Sequence, residues 1–296
     1  MLRTAARSIV EGAVTRTGLT ALSRRRSSDA VAILSYHNVV PAADAGRGDV
    51  SLHLPLPRFI EQVERLMRTH DVVDLHTALT TTGTRPRAVI TFDDAYRGAI
   101  TIALPELRRR GLPATVFVAP ALLGAPSTWW DEMGAAGLLT DAQRDVALTR
   151  FAGESDAIRS FFDVGSRVCL PETYAISTVD ELAPAIRDGM TLGSHSWAHE
   201  HLPSLPDLRL RDSLIRSRQW LLESELPFGD WLALPYGAGS EKVAAVAREI
   251  GHSAVLLVRG GLRSRSHDPA AVPRINVPAG LSPSGLELRT SGFYTR

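Results

Sequence analysis

The stretch Ala88-Val89-Ile90-Thr91-Phe92 is a largely apolar run that ends abruptly at Asp93-Asp94. A run of this length, rich in β-branched and aromatic residues, is typical of a strand buried on both faces of a parallel sheet. Two carboxylates directly after such a strand would be costly to bury without a cation or hydrogen-bond donors. The stretch therefore predicts a buried parallel strand with a polar site at its carboxyl end.

Similar runs recur along the chain and alternate with segments of helical spacing. Strands that are separated by helices favour an α/β fold with a mostly parallel sheet covered on both faces. The further strands are predicted at residues 31–35, 72–73, 114–118, 190–193, 231–234, 254–258 and 274–277, and helices at 59–67, 97–110, 206–225 and 239–250.

Composition limits the classes of function that the chain can have. Its 296 residues include 33 basic and 32 acidic side chains, a net charge of +1, so no global basic excess points to nucleic acid. No apolar run approaches the length of a membrane-spanning helix. The single cysteine, Cys169, excludes an intramolecular disulfide and a paired-cysteine metal site, and we expect it to be inert. Any metal must therefore be held by histidines and carboxylates.

The first 29 residues have apolar side chains at helical spacing on one face and arginines on the other. One interpretation is a mobile or self-docked terminal helix. The other is a basic amphipathic helix that makes peripheral contact with an anionic membrane surface. The segment has no clear secretory signal, which favours the cytoplasm, including its membrane surface, over an extracellular or periplasmic location.

Polar clusters follow directly after several of the predicted strands. They are Tyr36-His37, Asp93-Asp94, the segment His195–His199, and Pro235-Tyr236-Gly237. In parallel α/β folds the carboxyl ends of the strands lie at one edge, where the chemistry gathers. The four clusters are therefore expected to form one site.

The residue types in two of these clusters suit a divalent metal. The four-residue spacing of His195 and His199 places both imidazoles on one helical face or in one tight loop, although core-packed or solvated pairs also occur. His201 is a weaker candidate ligand. Asp93-Asp94 could be a polar strand end with one helix-capping aspartate. One aspartate and two histidines would instead hold a metal, while the second aspartate takes a proton from water.

Three of these sequence motifs resemble those of a known protein family. Thr91-Phe92-Asp93-Asp94 and His195-Ser196-Trp197-Ala198-His199 are similar to the first two motifs of the polysaccharide deacetylases (NodB-homology domain, carbohydrate esterase family 4), and Leu234-Pro235-Tyr236-Gly237 is similar to the third. The resemblance covers residues 30–278 and implies a distorted (β/α) barrel. Residues 1–29 would precede this domain as a basic amphipathic segment, and 279–296 would follow it as a C-terminal tail.

The resemblance implies metal-dependent hydrolysis of N-acetyl groups on amino-sugar polymers. Asp94, His195 and His199 would bind the metal, with zinc preferred and cobalt, nickel or manganese as alternatives. Asp93 would be the general base for the attacking water. The backbone N–H of Tyr236 would help to stabilise the oxyanion, which a poor electrophile such as an amide requires.

Two positions depart from the family's pattern. The third motif commonly carries an arginine three residues before its tyrosine, where this chain has Ala233. Arg274 is a candidate substitute that would orient the base, with ordinary surface placement as the alternative. The family's C-terminal Leu-x-His, which supplies the general acid, is absent after residue 260. One branch of the family begins with a strand ending in Tyr-His, so we expect His37 to be the acid, or else a structural histidine.

Three functions remain open from the sequence. The first is removal of N-acetyl groups from an amino-sugar polysaccharide or glycan precursor, whose N-acetylated glycan is then the expected partner. The second is deformylation or amide hydrolysis on a lipid-linked or small substrate. The third is a catalytically silent carbohydrate-binding domain. Trp129 and Trp130 follow the strand at 114–118 and could form a wall against a sugar ring or an ordinary packing seam.

Overall fold

Seven parallel strands close into a barrel in the computed structural model, which describes residues 10–27, 29–164, 168–264 and 266–293. The strands in chain order are β1 (Val31–Tyr36), β2 (Asn38–Val40), β3 (His53–Pro55), β4 (Asp71–Val72), β5 (Arg87–Asp93), β6 (Ala114–Val118), β7 (Met190–Ser194), β8 (Phe228–Ala233), β9 (Ala254–Gly260) and β10 (Val272–Asn276). The barrel runs β1-β10-β9-β8-β7-β6-β5 and closes where β5 pairs with β1. Strand β4 pairs with the start of β5, and β2 pairs with β3.

Helices connect the strands and cover the outside of the barrel, which confirms the distorted (β/α) barrel that the resemblance implies. They are α1 (described over residues 10–16), α2 (Leu19–Arg26), α3 (Leu56–Thr69), α4 (Leu75–Thr80), α5 (Leu104–Arg108), α6 (Trp129–Ala135), α7 (Asp141–Phe151), α8 (Ser155–Phe162), α9 (Val179–Ala185), α10 (Asp207–Glu223), α11 (Glu241–Ile250) and α12 (Pro283–Thr290).

The helix expected over residues 97–110 differs from the regular helix that its spacing predicts. After helical residues 97 and 98 it widens into a π-helical turn, Ala99–Ala103, and continues as α5, which ends at Arg108. Pro105 lies in the first turn of α5. Proline lacks an N–H donor and clashes with the carbonyl one turn earlier, so a wider turn ahead of it relieves the conflict.

The strands bury both faces, which explains their continuous apolar runs. Inside the barrel, Val89 and Phe117 belong to one buried cluster, while alternate residues of the same strands pack against the helices. Towards the carboxyl ends the inward positions become polar, and Ser35, Asp93 and Arg274 are all buried there. This change places a polar site at the carboxyl end of the barrel.

The two ends of the chain pack against each other. Glu287 on α12 accepts hydrogen bonds from Thr20 and Arg24 of α2 and from Arg65 of α3. The segment expected as a tail thus contains a helix, and the described part of the N-terminal segment is docked on it. Residues 1–9 of that segment lie outside the described residues. Within the described ranges, no helix has the length and hydropathy needed to cross a bilayer.

Candidate metal centre

Asp94, His195 and His199 converge at the carboxyl end of the barrel. The Nε2 atoms of His199 and His195 lie 3.0 and 3.5 Å from Asp94 Oδ1, and the three potential ligand atoms are all within 4.8 Å of one another. All three side chains are buried. The two histidines lie in a loop after β7 rather than on one helical face, so the second of the two geometries that the spacing allowed is the observed one.

The backbone fixes which nitrogen of His195 is free to act as a ligand. Its Nδ1 lies 2.8 Å from the carbonyl oxygen of Ala233, which can only accept a hydrogen bond. The proton must therefore be on Nδ1, leaving the lone pair of Nε2 directed towards Asp94. Burial lowers the pKa of His195 to about 4, so the ring is neutral near pH 7, as a metal ligand must be.

Two aromatic rings hold His199 in place. The ring of Trp130 lies 4.7 Å from the imidazole at an interplanar angle of 39°, and that of Tyr236 lies 4.5 Å away at 79°. Such offset and edge-to-face contacts restrict ring rotation. They keep Nε2 of His199 pointing at Asp94 Oδ1.

The donor set fits a divalent ion. Asp94 Oδ1 is buried and makes no hydrogen bond within the described residues. Burial would raise the pKa of Asp94, but the nearby histidines, above all His199, outweigh it and keep the pKa below its usual value. A buried carboxylate oxygen that lies 3.0 and 3.5 Å from two imidazole nitrogens matches the ligands that zinc takes.

Asp93, the other half of the pair, is held by Arg274 and does not belong to the metal-ligand cluster. Arg274 Nη1 and Nη2 donate to its two carboxylate oxygens at 2.7 and 2.8 Å, and Ser35 Oγ donates to Oδ2 at 3.0 Å. Arg274 also lies over the ring of Phe117, 5.2 Å from its centre. Burial would raise the pKa of Asp93, but the guanidinium outweighs it and holds the pKa well below the usual range.

Arg274, the candidate substitute for the arginine that the third motif lacks here, is buried beside Asp93. Ala233 is fully buried at the end of β8, and its carbonyl oxygen already accepts from His195. Arg274 extends from β10 instead, inside the barrel and with no exposed surface. Surface placement, the alternative that the sequence left open, is therefore not observed.

The loops that carry the site have unusual backbone conformations. Five non-glycine residues there have positive φ angles: Asp94 (71°), Ala95 (57°), Ser196 (64°), His199 (56°) and Tyr236 (58°). The left-handed region costs non-glycine residues free energy, and such residues cluster at functional sites where the surrounding structure holds them. These turns bend the chain sharply after β5, β7 and β8 and bring their side chains together.

A cavity of about 210 Å³ opens above this cluster. Six of the predicted site residues line it: His37, Asp93, Asp94, His195, His199 and Tyr236. Arg274 lies behind Asp93. Of the two tryptophans, Trp130 lines the cavity, whereas Trp129 is buried and does not.

His201 and Cys169 lie outside the site. Nδ1 of His201 pairs with Ser204 Oγ at 2.6 Å, and His201 does not belong to the metal-ligand cluster. Cys169 is exposed and lies apart from the residues that line the cavity.

Two residues of the cavity wall, and a buried aspartate behind them, were assigned no role from the sequence. Asp131 anchors the loop and helix around the site, and Asp49 and Arg144 form an ion pair at 2.7 Å in the cavity wall. An aspartate directly after two tryptophans is the sequence signal that could have pointed to Asp131. Asp49 and Arg144 come from a loop and a helix with no motif, and only the tertiary structure brings them to the site.

Solved structures of similar fold are known. The Streptococcus pyogenes deacetylase PplD in complex with acetate has a TM-score of 0.63 at 16% identity, covering 89% of this chain and 99% of that one. IcaB from Ammonifex degensii has a TM-score of 0.63 at 18% identity, and the match covers 90% of this chain and 98% of that one. A polysaccharide deacetylase from Bacillus cereus has a TM-score of 0.64 at 13% identity, and the match covers 89% of this chain and 69% of that one. At these identities the similarity establishes the fold.

A comparison with curated proteins finds no significant match. The family model for polysaccharide deacetylases matches residues 80–255, which is more than half of the chain and includes the Asp93-Asp94 and His195–His199 motifs. The family that the motifs suggested is thereby confirmed. This chain belongs to the polysaccharide deacetylase family of enzymes.

Proposed function

We propose that the protein is a metal-dependent hydrolase that removes N-acetyl groups from an amino-sugar glycan. The observation that carries this proposal is the buried Asp94, His195 and His199 cluster, with the Arg274-held carboxylate of Asp93 in the same cavity. A silent binding domain would have no need to keep both a metal-ligand set and an oriented buried base.

Each of these side chains would have a separate role in amide hydrolysis. A divalent ion held by Asp94, His195 and His199 would polarise the amide carbonyl and acidify a water. Asp93 is ionised because of Arg274, so it can accept the proton of the attacking water. The backbone N–H of Tyr236 would donate to the developing oxyanion, since the left-handed turn places this residue in the cavity wall.

The leaving amine must be protonated before the C–N bond breaks. His37 is half-buried, directly follows β1 and lines the same cavity as His195. An imidazole there would give its proton to the amine nitrogen. The small cavity suits an acetamido group and the ring that bears it, with the rest of a glycan outside.

Metal analysis and acetate release test this proposal together. We expect one equivalent of zinc in the wild type and acetate release from N-acetylated oligosaccharides. Asp94→Asn should lose the metal, whereas Asp93→Asn should keep it and lose at least two orders of magnitude in kcat, the range of general acid–base catalysis. Release of formate but not acetate from matched amides would reassign the substrate. A protein that binds no divalent ion and hydrolyses neither would contradict the proposal.

A further inference from the structure

We propose that Asp49 and Arg144, hereafter the Asp49–Arg144 pair, bind the hydroxyl groups of the sugar that carries the scissile amide. This inference rests on the proposed function and names the part of the substrate that the chain recognises. Both residues line the same cavity as Asp93 and His199. Neither belongs to the motifs of the family.

The pair lines the cavity and has hydrogen-bonding capacity that the protein itself does not use. Arg144 Nη2 donates to Asp49 Oδ2 at 2.7 Å, and its side chain is 36% exposed. No other hydrogen bond from this guanidinium occurs within the described ranges, so most of its five donors stay available. Asp49 Oδ1 accepts from the backbone N–H and the hydroxyl of Ser51, which leaves Oδ2 able to accept once more.

The Asp49 end of the pair is held by a hydrogen bond to a buried residue. The backbone N–H of Asp49 donates to Asp131 Oδ1 at 2.8 Å, and Asp131 is fully buried. The same carboxylate also pairs with His53 Nε2 and accepts from Tyr96 Oη, each at 2.7 Å. A binding group with its geometry fixed in advance loses little entropy when the ligand arrives.

Close backbone contact sets the position of the loop that carries Asp49. A Cβ atom on Gly134 of α6 would lie 2.3 Å from the carbonyl oxygen of Gly48 and 2.7 Å from the nitrogen of Asp49. The loop can therefore lie in its place only because residue 134 is glycine. A methyl group there would displace Asp49 without removing any polar group.

The charges of the pair select the kind of ligand. Burial would raise the pKa of Asp49, but the hydrogen bonds from Arg144 and Ser51 outweigh it and keep the pKa below its usual value. Asp49 is therefore ionised, and it neutralises the charge of Arg144. An uncompensated arginine would suit a phosphate or a carboxylate. A neutral donor–acceptor pair instead matches the vicinal hydroxyls of an uncharged pyranose, each of which both donates and accepts.

Kinetics and binding of variants test the proposal. We expect Arg144→Met to raise KM for N-acetylated chitotriose about tenfold with kcat within about twofold of wild type, the pattern of lost uniform binding. Gly134→Ala should raise KM in the same direction. Arg218→Met is the matched control, because Arg218 pairs with Asp230 at 2.9 Å away from the cavity. It should leave both constants unchanged.

Binding is measured separately from turnover with Asp93→Asn as the background. Calorimetry with the same N-acetylated chitotriose should give a Kd about tenfold higher for the double variant Asp93→Asn, Arg144→Met than for Asp93→Asn alone. An unchanged KM and Kd in Arg144→Met would overturn the inference, as would a loss of kcat at constant KM. If the zinc-loaded wild type released no acetate while Arg144→Met still weakened binding of N-acetylated chitotriose about tenfold, the proposed function would fail and the sugar-binding pair would stand.

Discussion

Arg274 donates to both carboxylate oxygens of Asp93, at 2.7 and 2.8 Å, and the two side chains are 0% and 2% exposed. The pair joins β10 to β5, which do not pair with each other because β1 lies between them. Ser35 of β1 adds a third hydrogen bond to the same carboxylate. Three strands of the barrel thus hold one side chain, which fixes the orientation of the Asp93 carboxylate.

Replacement of Arg274 should impair the base without removing the metal ligands. We expect Arg274→Met to lower kcat by at least about a hundredfold with KM little changed, since general-base catalysis depends on the position of the carboxylate. The pKa of Asp93 should rise when the guanidinium is lost, moving the acidic limb of the kcat–pH profile to higher pH. Steady-state kinetics across pH measures both effects.

Arg274→Lys is the control that keeps the positive charge but removes the planar guanidinium group. It should return the acidic limb towards its wild-type position but recover only part of kcat, because lysine cannot donate to both carboxylate oxygens in this geometry. Arg274→Met should also lower the free energy of unfolding by about 3–5 kcal/mol, the usual effect of breaking a buried ion pair. An unchanged pH profile in Arg274→Met would show that Arg274 has a purely structural role.

His37 is expected to act only on the leaving group. His37→Ala should retain the metal and lower turnover by roughly two to four orders of magnitude, the contribution of a general acid. The defect should be smaller for a substrate whose amine leaves without protonation. Metal content and kcat on the two substrates are the measurements. Near-normal turnover on the ordinary amide would show that His37 is a structural histidine.

Much of the barrel was predictable because its signals are local. The strand ends at Asp93 and His195 follow apolar runs, and parallel strands bring their carboxyl ends to one edge. The choice between Trp129 and Trp130 was not predictable. Successive residues of α6 point about 100° apart, so only the packing of the helix decides which ring reaches the cavity. Arg144 is also absent from any motif, because only the folded chain brings α7 to the cavity wall.

The N-terminal segment should stabilise the barrel through Glu287. Burial would raise the pKa of Glu287, but Thr20, Arg24 and Arg65 donate to it and keep the pKa below its usual value. The double variant Thr20→Val, Arg24→Met should therefore lower the free energy of unfolding by about 3 kcal/mol in urea titrations, since a buried carboxylate loses two donors. Arg25→Met, an exposed neighbour on the same helix, should have almost no effect.

The same N-terminal segment is also predicted to contact anionic membrane surfaces, and this can be tested separately. Arg25 and Arg26 are exposed beside Leu19 and Leu22, which are 45% and 48% exposed. A basic and apolar face of this kind would bind anionic vesicles more strongly than neutral ones. Co-sedimentation that does not change when Arg25 and Arg26 are replaced by glutamate would leave docking against α12 as the role of the segment.

His252 should make the stability of the protein depend on pH. It is 3% exposed, neither ring nitrogen has a partner within the described residues, and burial lowers its pKa to about 4. Between about pH 4 and 6.5 the unfolded chain binds a proton that the folded chain does not, so stability falls as the pH drops. His252→Leu should therefore reduce the loss of unfolding free energy between pH 7 and 5 by about 2 kcal/mol. Urea titrations at the two pH values measure this, with exposed His76→Leu as the control that must keep the wild-type loss. An equal loss in His252→Leu and wild type would mean that His252 is protonated in the folded state.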